Sequence, residues 1–275
     1  MKHEIRSAIE DTFRAAESSL TANLAIADFI PQVAAAASLL SESKNRILTC
    51  GMGKSGLIAR KVAATLTSTG SPAVFLHPAD ALHGDIGNLQ SKEVVLAFSN
   101  SGETREIVEL LPHIKRLTGK LIAVTQKADS TLARDADAAI IYSITREGCP
   151  LELAPMASTT MSLVIGDAIS TALIKLKKFR REDFGKYHPS GTLGKKLLTR
   201  VRDVMQSADD ILLPRETPFQ DILPKMITAN VGCVLVIGSK GHLRGILTDG
   251  DIKRQLEHFA KSPTQLFAAT AGELM

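Results

Sequence analysis

Two turns rich in glycine and hydroxyl groups carry the residue types best suited to hold an anion. Gly51-Met52-Gly53-Lys54-Ser55-Gly56 sets a lysine and a serine among glycines, and Ser99-Asn100-Ser101-Gly102-Glu103-Thr104 places three hydroxyls within six residues. The first is not a P-loop, because the glycine which that motif needs five residues before Gly-Lys-Ser is Leu48 here. A strand-to-helix turn of this composition still aims backbone N–H groups and one lysine at a ligand. Its glycines would serve equally to let a helix and a strand pack closely. In the second turn one Ser or Thr would suffice to cap a helix. Three hydroxyls between a buried strand and the positive end of a helix suit a phosphate dianion.

The other candidates are ionisable side chains at strand ends and in loops: His77, His83, Glu106, Glu147 and His188. Carboxylates can move protons to and from carbon, and imidazoles can handle hydroxyl protons. Glu106 in a first helical turn would also favour the helix dipole. His77 and His83 are six residues apart and lack the H-x-x-x-H spacing of a metal pair. Their common placement on one edge of a sheet is what raises these residues above ordinary surface groups.

The elements that hold these residues follow from the hydrophobic period. Ile5, Ile9, Phe13, Ala16 and Leu20 recur at helical spacing, as do Phe29, Ile30, Val33, Ala36, Leu39 and Leu40. From residue 46 the period changes. Short continuous apolar runs at 46–50, 73–76, 94–98, 120–125 and 138–142 read as buried parallel strands. Helical patterns follow the first (Ile58, Val62, Leu66) and the third (Ile107, Leu110, Leu111, Ile114), and a long helix over 159–178 closes the unit. Strand and helix in alternation predict an α/β domain with a doubly wound five-stranded parallel sheet, whose ligands bind beyond the carboxyl ends of the strands.

The Gly- and Pro-rich stretch 184–191 marks a boundary, giving domains at 1–198 and 199–275. The second unit opens at 201–205, with a helix after Pro218, strands at 233–237 and 243–247, and a helix from Asp251. Pro224 lies within the first of these helices. Asp203-Val204-Met205 returns as Glu273-Leu274-Met275, so a second repeat is expected to begin there and be truncated.

Composition narrows the function classes. In 275 residues, 44% are hydrophobic and 23% charged, which excludes wholesale disorder. Aromatics are 4% with no Trp, which argues against a base-stacking nucleic-acid platform. The net charge of +4 is interspersed and points to no polyanion. Three widely spaced cysteines suit a reducing compartment. The charged N-terminus is not a signal peptide, and 26–40 is too short and interrupted to span a bilayer. The expectation is a cytoplasmic protein without membrane or nucleic-acid partners.

GMGKSG, SNSGET, EGCPLELAP-x-x-STT, GDAI and HPSGTLGKKL, in this order, resemble the arabinose 5-phosphate isomerase family, in which a sugar isomerase (SIS) domain precedes paired cystathionine β-synthase-type (CBS) domains. SNSGET marks only the SIS superfamily, whereas EGCPLELAP and HPSGTLGKKL narrow the likeness to this family. The resemblance implies an aldose–ketose isomerase interconverting D-arabinose 5-phosphate and D-ribulose 5-phosphate for octulosonate (Kdo) synthesis in lipopolysaccharide or capsule. It implies five functional side chains, Lys54, His83, Glu106, Glu147 and His188. It also implies a phosphate site at Ser99, Ser101 and Thr104, with Ser55 near the sugar and Gly70, Ser71 and His77 lining the pocket. By analogy Glu147 is the base on carbon, Lys54 stabilises the enediolate, Glu106 positions Lys54 or a histidine, and His83 or His188 shuttles hydroxyl protons. No cofactor is implied. His77 stands where family members can hold an inhibitory zinc, and a homotetramer is usual. In the second unit Thr248 and Asp251 would touch the ribose of an adenosyl ligand, weakly with one repeat. The chain has Met156-Ala157 where the family commonly has Thr-Ser, Ser190 for Gly and Asp80 for Glu. The competing readings are a non-catalytic sugar-phosphate sensor, which would not need Glu147 and His188, and an SIS isomerase of another phosphosugar.

Overall fold

The structure is a computed structural model that describes residues 2–43, 45–117, 119–188, 199–205 and 207–275. It divides into two compact units, Met1–Leu198 and Thr199–Met275. In the first, helices α1 (Lys2–Leu24) and α2 (Phe29–Glu42) precede β1 (Ile47–Gly51), α3 (Gly53–Ser68), β2 (Ala73–Leu76) and α4 (Pro78–Leu82). There follow β3 (Val94–Phe98), α5 (Arg105–Leu117), β4 (Lys120–Thr125), α6 (Thr131–Asp135), β5 (Ala138–Ile141), α7 (Ala157–Leu176) and α8 (Arg181–Tyr187). The five strands form one parallel sheet in the order β2-β1-β3-β4-β5.

Alternate residues of each strand face opposite layers, as the two-residue period of a strand requires. Leu96, Phe98, Ile122 and Val124 pack with Val33, Leu40, Val62, Ile165 and Ile169 of α2, α3 and α7. Val95, Ala97, Leu121 and Ala123 pack with Ile107, Leu110, Leu111 and Ile114 of α5. Apolar residues on both faces explain why the strands read as unbroken hydrophobic runs. α7 is long and apolar enough to cross a membrane, but half of that stretch is buried within this unit. α1 and α2 are apolar enough only when taken together, as a pair bent by 82°.

α1 departs from its hydrophobic stripe. Ile5, Ile9 and Phe13 are exposed, and the buried positions are Ala15, Ser19 and Asn23. The inward face is small and polar because it meets main chain. Asn23 Nδ2 donates to the Ser143 carbonyl at 2.6 Å while its Oδ1 accepts the Ser143 N–H at 2.9 Å, and Thr12 Oγ1 donates to the Gly148 carbonyl at 3.0 Å. α1 thus satisfies the backbone of the segment that follows β5.

The second unit has a three-stranded sheet. β6 (Leu212–Pro214), which the apolar pattern alone does not mark, pairs parallel with β7 (Cys233–Ile237), and β7 pairs antiparallel with β8 (Leu243–Thr248). Its core is Phe219, Ile222, Val234, Val236, Leu247 and Leu274. Phe219–Ala229 is helical with Pro224 inside it. The two matching segments, the opening of the unit and its return, are both four-residue helices, Val201–Val204 and Ala271–Leu274. In each an acid accepts a backbone N–H three residues earlier: Asp203 from Arg200 and Glu273 from Thr270, both at 2.8 Å.

Candidate active site

β1 lies between β2 and β3, so the turns after β1 and β3 diverge where the strand order reverses, the usual ligand position in such sheets. A Cβ on Gly56 would come 2.5 Å from the Gly51 carbonyl oxygen, and one on Gly51 would come 2.9 Å from the Ser55 backbone. These glycines permit close packing of strand on helix, and the same contact brings Lys54 and Ser55 to the rim of a cavity.

The cavity measures about 400 Å³ and is lined by Lys54, Ser55 and Glu147, together with Asn100, Tyr142 and Glu152. Its size lies in the range of small-molecule sites, about 300–1,000 Å³. Glu147 is half-buried, and its Oε2 accepts the N–H groups of Met156 at 2.7 Å and Ser158 at 3.1 Å. The carboxylate therefore sits at the positive end of α7. The Ala157 N–H bonds the Glu147 carbonyl at 3.3 Å, so main chain and side chain grip the same helix start. Below them Tyr142 donates to Asn100 Oδ1 at 2.9 Å and lies 3.2 Å from Ser162 Oγ. Burial pushes the Tyr142 phenol up to about 12, a rise that the Ser162 hydrogen bond opposes and the Glu147 charge reinforces. It remains a neutral donor. The Ser158 hydroxyl is buried in the cavity wall with no hydrogen-bond partner among the described residues.

The hydroxyl loop is held by its own hydrogen bonds. Ser99 is 2% exposed, its Oγ lies 2.8 Å from Thr104 Oγ1, and it accepts the Gly102 N–H at 3.1 Å. Ser101 Oγ accepts the Glu103 N–H at 3.2 Å. These bonds stay within the loop and shape it rather than cap α5. Asn100, not the three hydroxyl residues, lines the cavity. Reading the loop for hydroxyls passed over its amide. Tyr142, Glu152, Ser158, Thr159 and Ser162 were also missed, although Glu152, Ser158 and Thr159 lie inside the motif that carries Glu147.

The remaining expected residues do not join this cavity within one chain. His77 lines a separate cavity beside edge strand β2, with Arg46, Arg60, Asp80 and Asp85. Its Nδ1 lies 3.5 Å from Asp80 Oδ2 and has no hydrogen-bond partner among the described residues. Among the described residues no three His, Cys, Asp or Glu side chains are arranged to hold a metal ion, so the His77–Asp80 pair is two ligands short of a tetrahedral zinc site. His83 is exposed at the end of α4, and Glu106 is half-buried in the first turn of α5. Gly70 and Ser71 precede β2 at the amino edge of the sheet, since Ala73 pairs with Ile47. A Cβ on Gly70 would collide with Phe179, which lies just past the end of α7. α7 starts at the cavity and spans about 30 Å by its rise per residue, so Phe179 and α8 lie at the opposite edge. His188 belongs there: it stacks on Phe184 at 3.8 Å and its Nδ1 lies 3.0 Å from the Phe184 carbonyl. The expectation that the ionisable groups share one sheet edge is corrected for His188, and Gly70 and Ser71, expected to line the pocket, lie at the opposite edge from the cavity of their own chain. The rest of the HPSGTLGKKL stretch, including Ser190, and the boundary at 198 lie outside the described residues.

In the second unit Thr248 and Asp251 engage each other. Asp251 Oδ2 accepts the Thr248 hydroxyl at 2.7 Å and the Thr248 N–H at 2.8 Å, while Thr248 Oγ1 accepts the Asp251 N–H at 3.3 Å. The pair caps the helix Asp249–His258. The Thr248 bonds and then Arg254 hold the Asp251 carboxyl down to about 2.

Comparison with known proteins adds to this geometry. The chain matches the SIS domain over residues 39–172 and the CBS domain over residues 201–258. It is 42% identical over 237 residues to the arabinose 5-phosphate isomerase KpsF of Escherichia coli, covering 86% of this chain and 73% of that protein. It is 47% identical over 225 residues to the arabinose 5-phosphate isomerase KdsD of Pseudomonas aeruginosa, covering 81% of this chain and 68% of that protein. A solved E. coli CFT073 structure in complex with arabinose 5-phosphate is similar at 40% identity with a TM-score of 0.62, covering 68% of this chain and 96% of that one.

Proposed function

We infer, since the chain belongs to the arabinose 5-phosphate isomerase family, that it interconverts D-arabinose 5-phosphate and D-ribulose 5-phosphate. The single observation that carries this reading is the cavity in which Lys54, Ser55 and Glu147 meet at the carboxyl edge of the sheet. In the aldose-to-ketose direction the proton on C2 leaves to a base, an enediolate forms across C1 and C2, and the proton returns to C1. A hydroxyl proton moves from O2 to O1. We assign the carbon proton to Glu147. Its Oε2 holds α7, and Oε1 takes part in neither of those bonds. The Lys54 ammonium stabilises the enediolate oxygen as charge develops. Ser55 lies near the sugar, and the loop of Ser99, Ser101 and Thr104 binds the phosphate, whose remote binding energy orients the reacting carbons.

His83 and His188 handle hydroxyl protons, and Glu106 orients the cation or a histidine. Gly70, Ser71 and His188 face away from the cavity of their own chain, so in this reading a second copy brings them to it. The outward Ile5, Ile9 and Phe13 of α1 support self-association, and we assign a cytoplasmic homotetramer. The reaction needs no cofactor, and zinc acts only as an inhibitor through His77. The product feeds octulosonate synthesis. The second unit binds adenosyl nucleotides weakly, because Thr248 and Asp251 already bond each other.

The test is a coupled assay of the purified chain with a panel of pentose and hexose phosphates and unphosphorylated ribulose. Turnover of the two pentose 5-phosphates alone supports the assignment. Binding without turnover would make the chain a sensor, and preference for a hexulose phosphate would change the substrate.

A further inference from the structure

The cavity holds a second carboxylate, and the main chain is strained to put it there. Glu152 has φ +48°, in the left-handed region that a residue with a Cβ rarely adopts. Such strain persists where surrounding bonds fix it, and it clusters at functional sites. Here the bonds are explicit. Glu152 Oε2 accepts the Glu147 N–H at 2.8 Å, Oε1 accepts the Gly148 N–H at 3.1 Å, and the Glu152 N–H donates to the Cys149 carbonyl at 2.9 Å. Glu152 also stands on the wall between two cavities. One contains Lys54 and Glu147, and the other, of about 560 Å³, contains Arg146, Gly148 and Cys149.

We propose that Glu152 is a positioning residue for Glu147. The Glu147 carboxylate reaches the start of α7 from a main-chain placement that is held at three points. α1 fixes the main chain on both sides of it, at Ser143 and at Gly148, α7 fixes its side chain, and Glu152 fixes its own N–H. Without Glu152 the N–H groups of Glu147 and Gly148 face the cavities with no partner from the loop. The turn then relaxes and the Glu147 oxygens shift relative to the bound sugar. Displacements of this kind slow chemistry while leaving binding nearly intact. The proposal rests on the isomerase reading, so its test has one arm that does not use activity.

Glu152→Gln keeps the shape and one acceptor, and Glu152→Gly removes the clamp while suiting the backbone. We expect kcat for the pentose 5-phosphates to fall about tenfold in the Gln variant and about a hundredfold in the Gly variant, with KM within about twofold of wild type. In the second arm, amide hydrogen exchange of the full chain should show Glu147 and Gly148 protected in wild type and faster in both variants. A change confined to KM, or unchanged kcat and unchanged exchange in both variants, overturns the proposal. So does a Gln variant that abolishes proton abstraction while Glu147→Gln retains it, which would make Glu152 the base itself. A wild-type chain with no turnover removes the isomerase reading alone, since the amide measurement still decides whether Glu152 holds the turn.

Discussion

Ser99 and Thr104 shape the hydroxyl loop before any ligand is considered. Thr104→Val keeps the volume of the side chain but deprives the buried Ser99 hydroxyl of one partner. We expect a loss of about 1 kcal/mol in stability and a rise in KM, measured by denaturant unfolding and steady-state kinetics. Ser101→Ala, at an exposed position, should raise KM with stability unchanged. If neither substitution affected KM, the phosphate would be held elsewhere. Residue types alone pointed to this loop, because hydroxyls beside a helix N-terminus have few other uses in such number. They could not point to Asn100 or Tyr142, whose place in the cavity depends on β3 and β5 ending at the same edge. Nor could they reveal Glu152, since a positive φ at a non-glycine leaves no mark in sequence.

Among the elements, α5 and α1 mark the two extremes of legibility. The stripe Ile107, Leu110, Leu111 and Ile114 faces the sheet as its period requires, because that face meets only apolar side chains. On α1 Ile5, Ile9 and Phe13 of the stripe point outward while Leu20 packs on the core, since the partner of the buried face is largely the backbone of 143–148 and calls for hydrogen bonds instead. Asn23→Ala should cost about 1–3 kcal/mol by leaving the Ser143 amide and carbonyl unpaired. It should also lower kcat more than it raises KM, because the released segment leads to Glu147. A thermal melt and a kinetic split check both effects; full activity at reduced stability would detach α1 from the site. The cap of the helix Asp249–His258 has a pH signature. Asp251 ionises at about 2 in the folded chain against an ordinary 3.8, so its stabilisation is present above about pH 4 and is lost as the pH falls toward 2. Unfolding of the second unit followed across that window should show this loss, and Asp251→Asn should flatten it. An identical acid profile in the variant would contradict the assignment.

For the molecule as a whole, two cores serve two units, and the cavity with Lys54 and Glu147 belongs to the first. A chain ending at Leu198 should fold and isomerise the pentose 5-phosphates, as circular dichroism and the coupled assay would show; an inactive, unfolded product would tie the first core to the second unit. The doubly wound sheet was legible because buried parallel strands are continuous apolar runs and their spacing leaves little choice of connection. The site was legible only up to the ends of the sheet. His188, in the boundary loop, reads as sharing one edge with Glu147 after the fifth strand, but the length of α7 carries them to opposite edges. The central claim is that Glu147 moves the carbon-bound proton. Its most direct test is NMR detection of deuterium entering the substrate carbon skeleton in D2O, with wild type and Glu147→Gln compared at matched substrate saturation. The wild type should incorporate deuterium during turnover, and the Gln variant should bind substrate with nearly unchanged affinity yet incorporate essentially none. Exchange in the Gln variant near the wild-type rate would contradict the account and move the base to another side chain of the cavity.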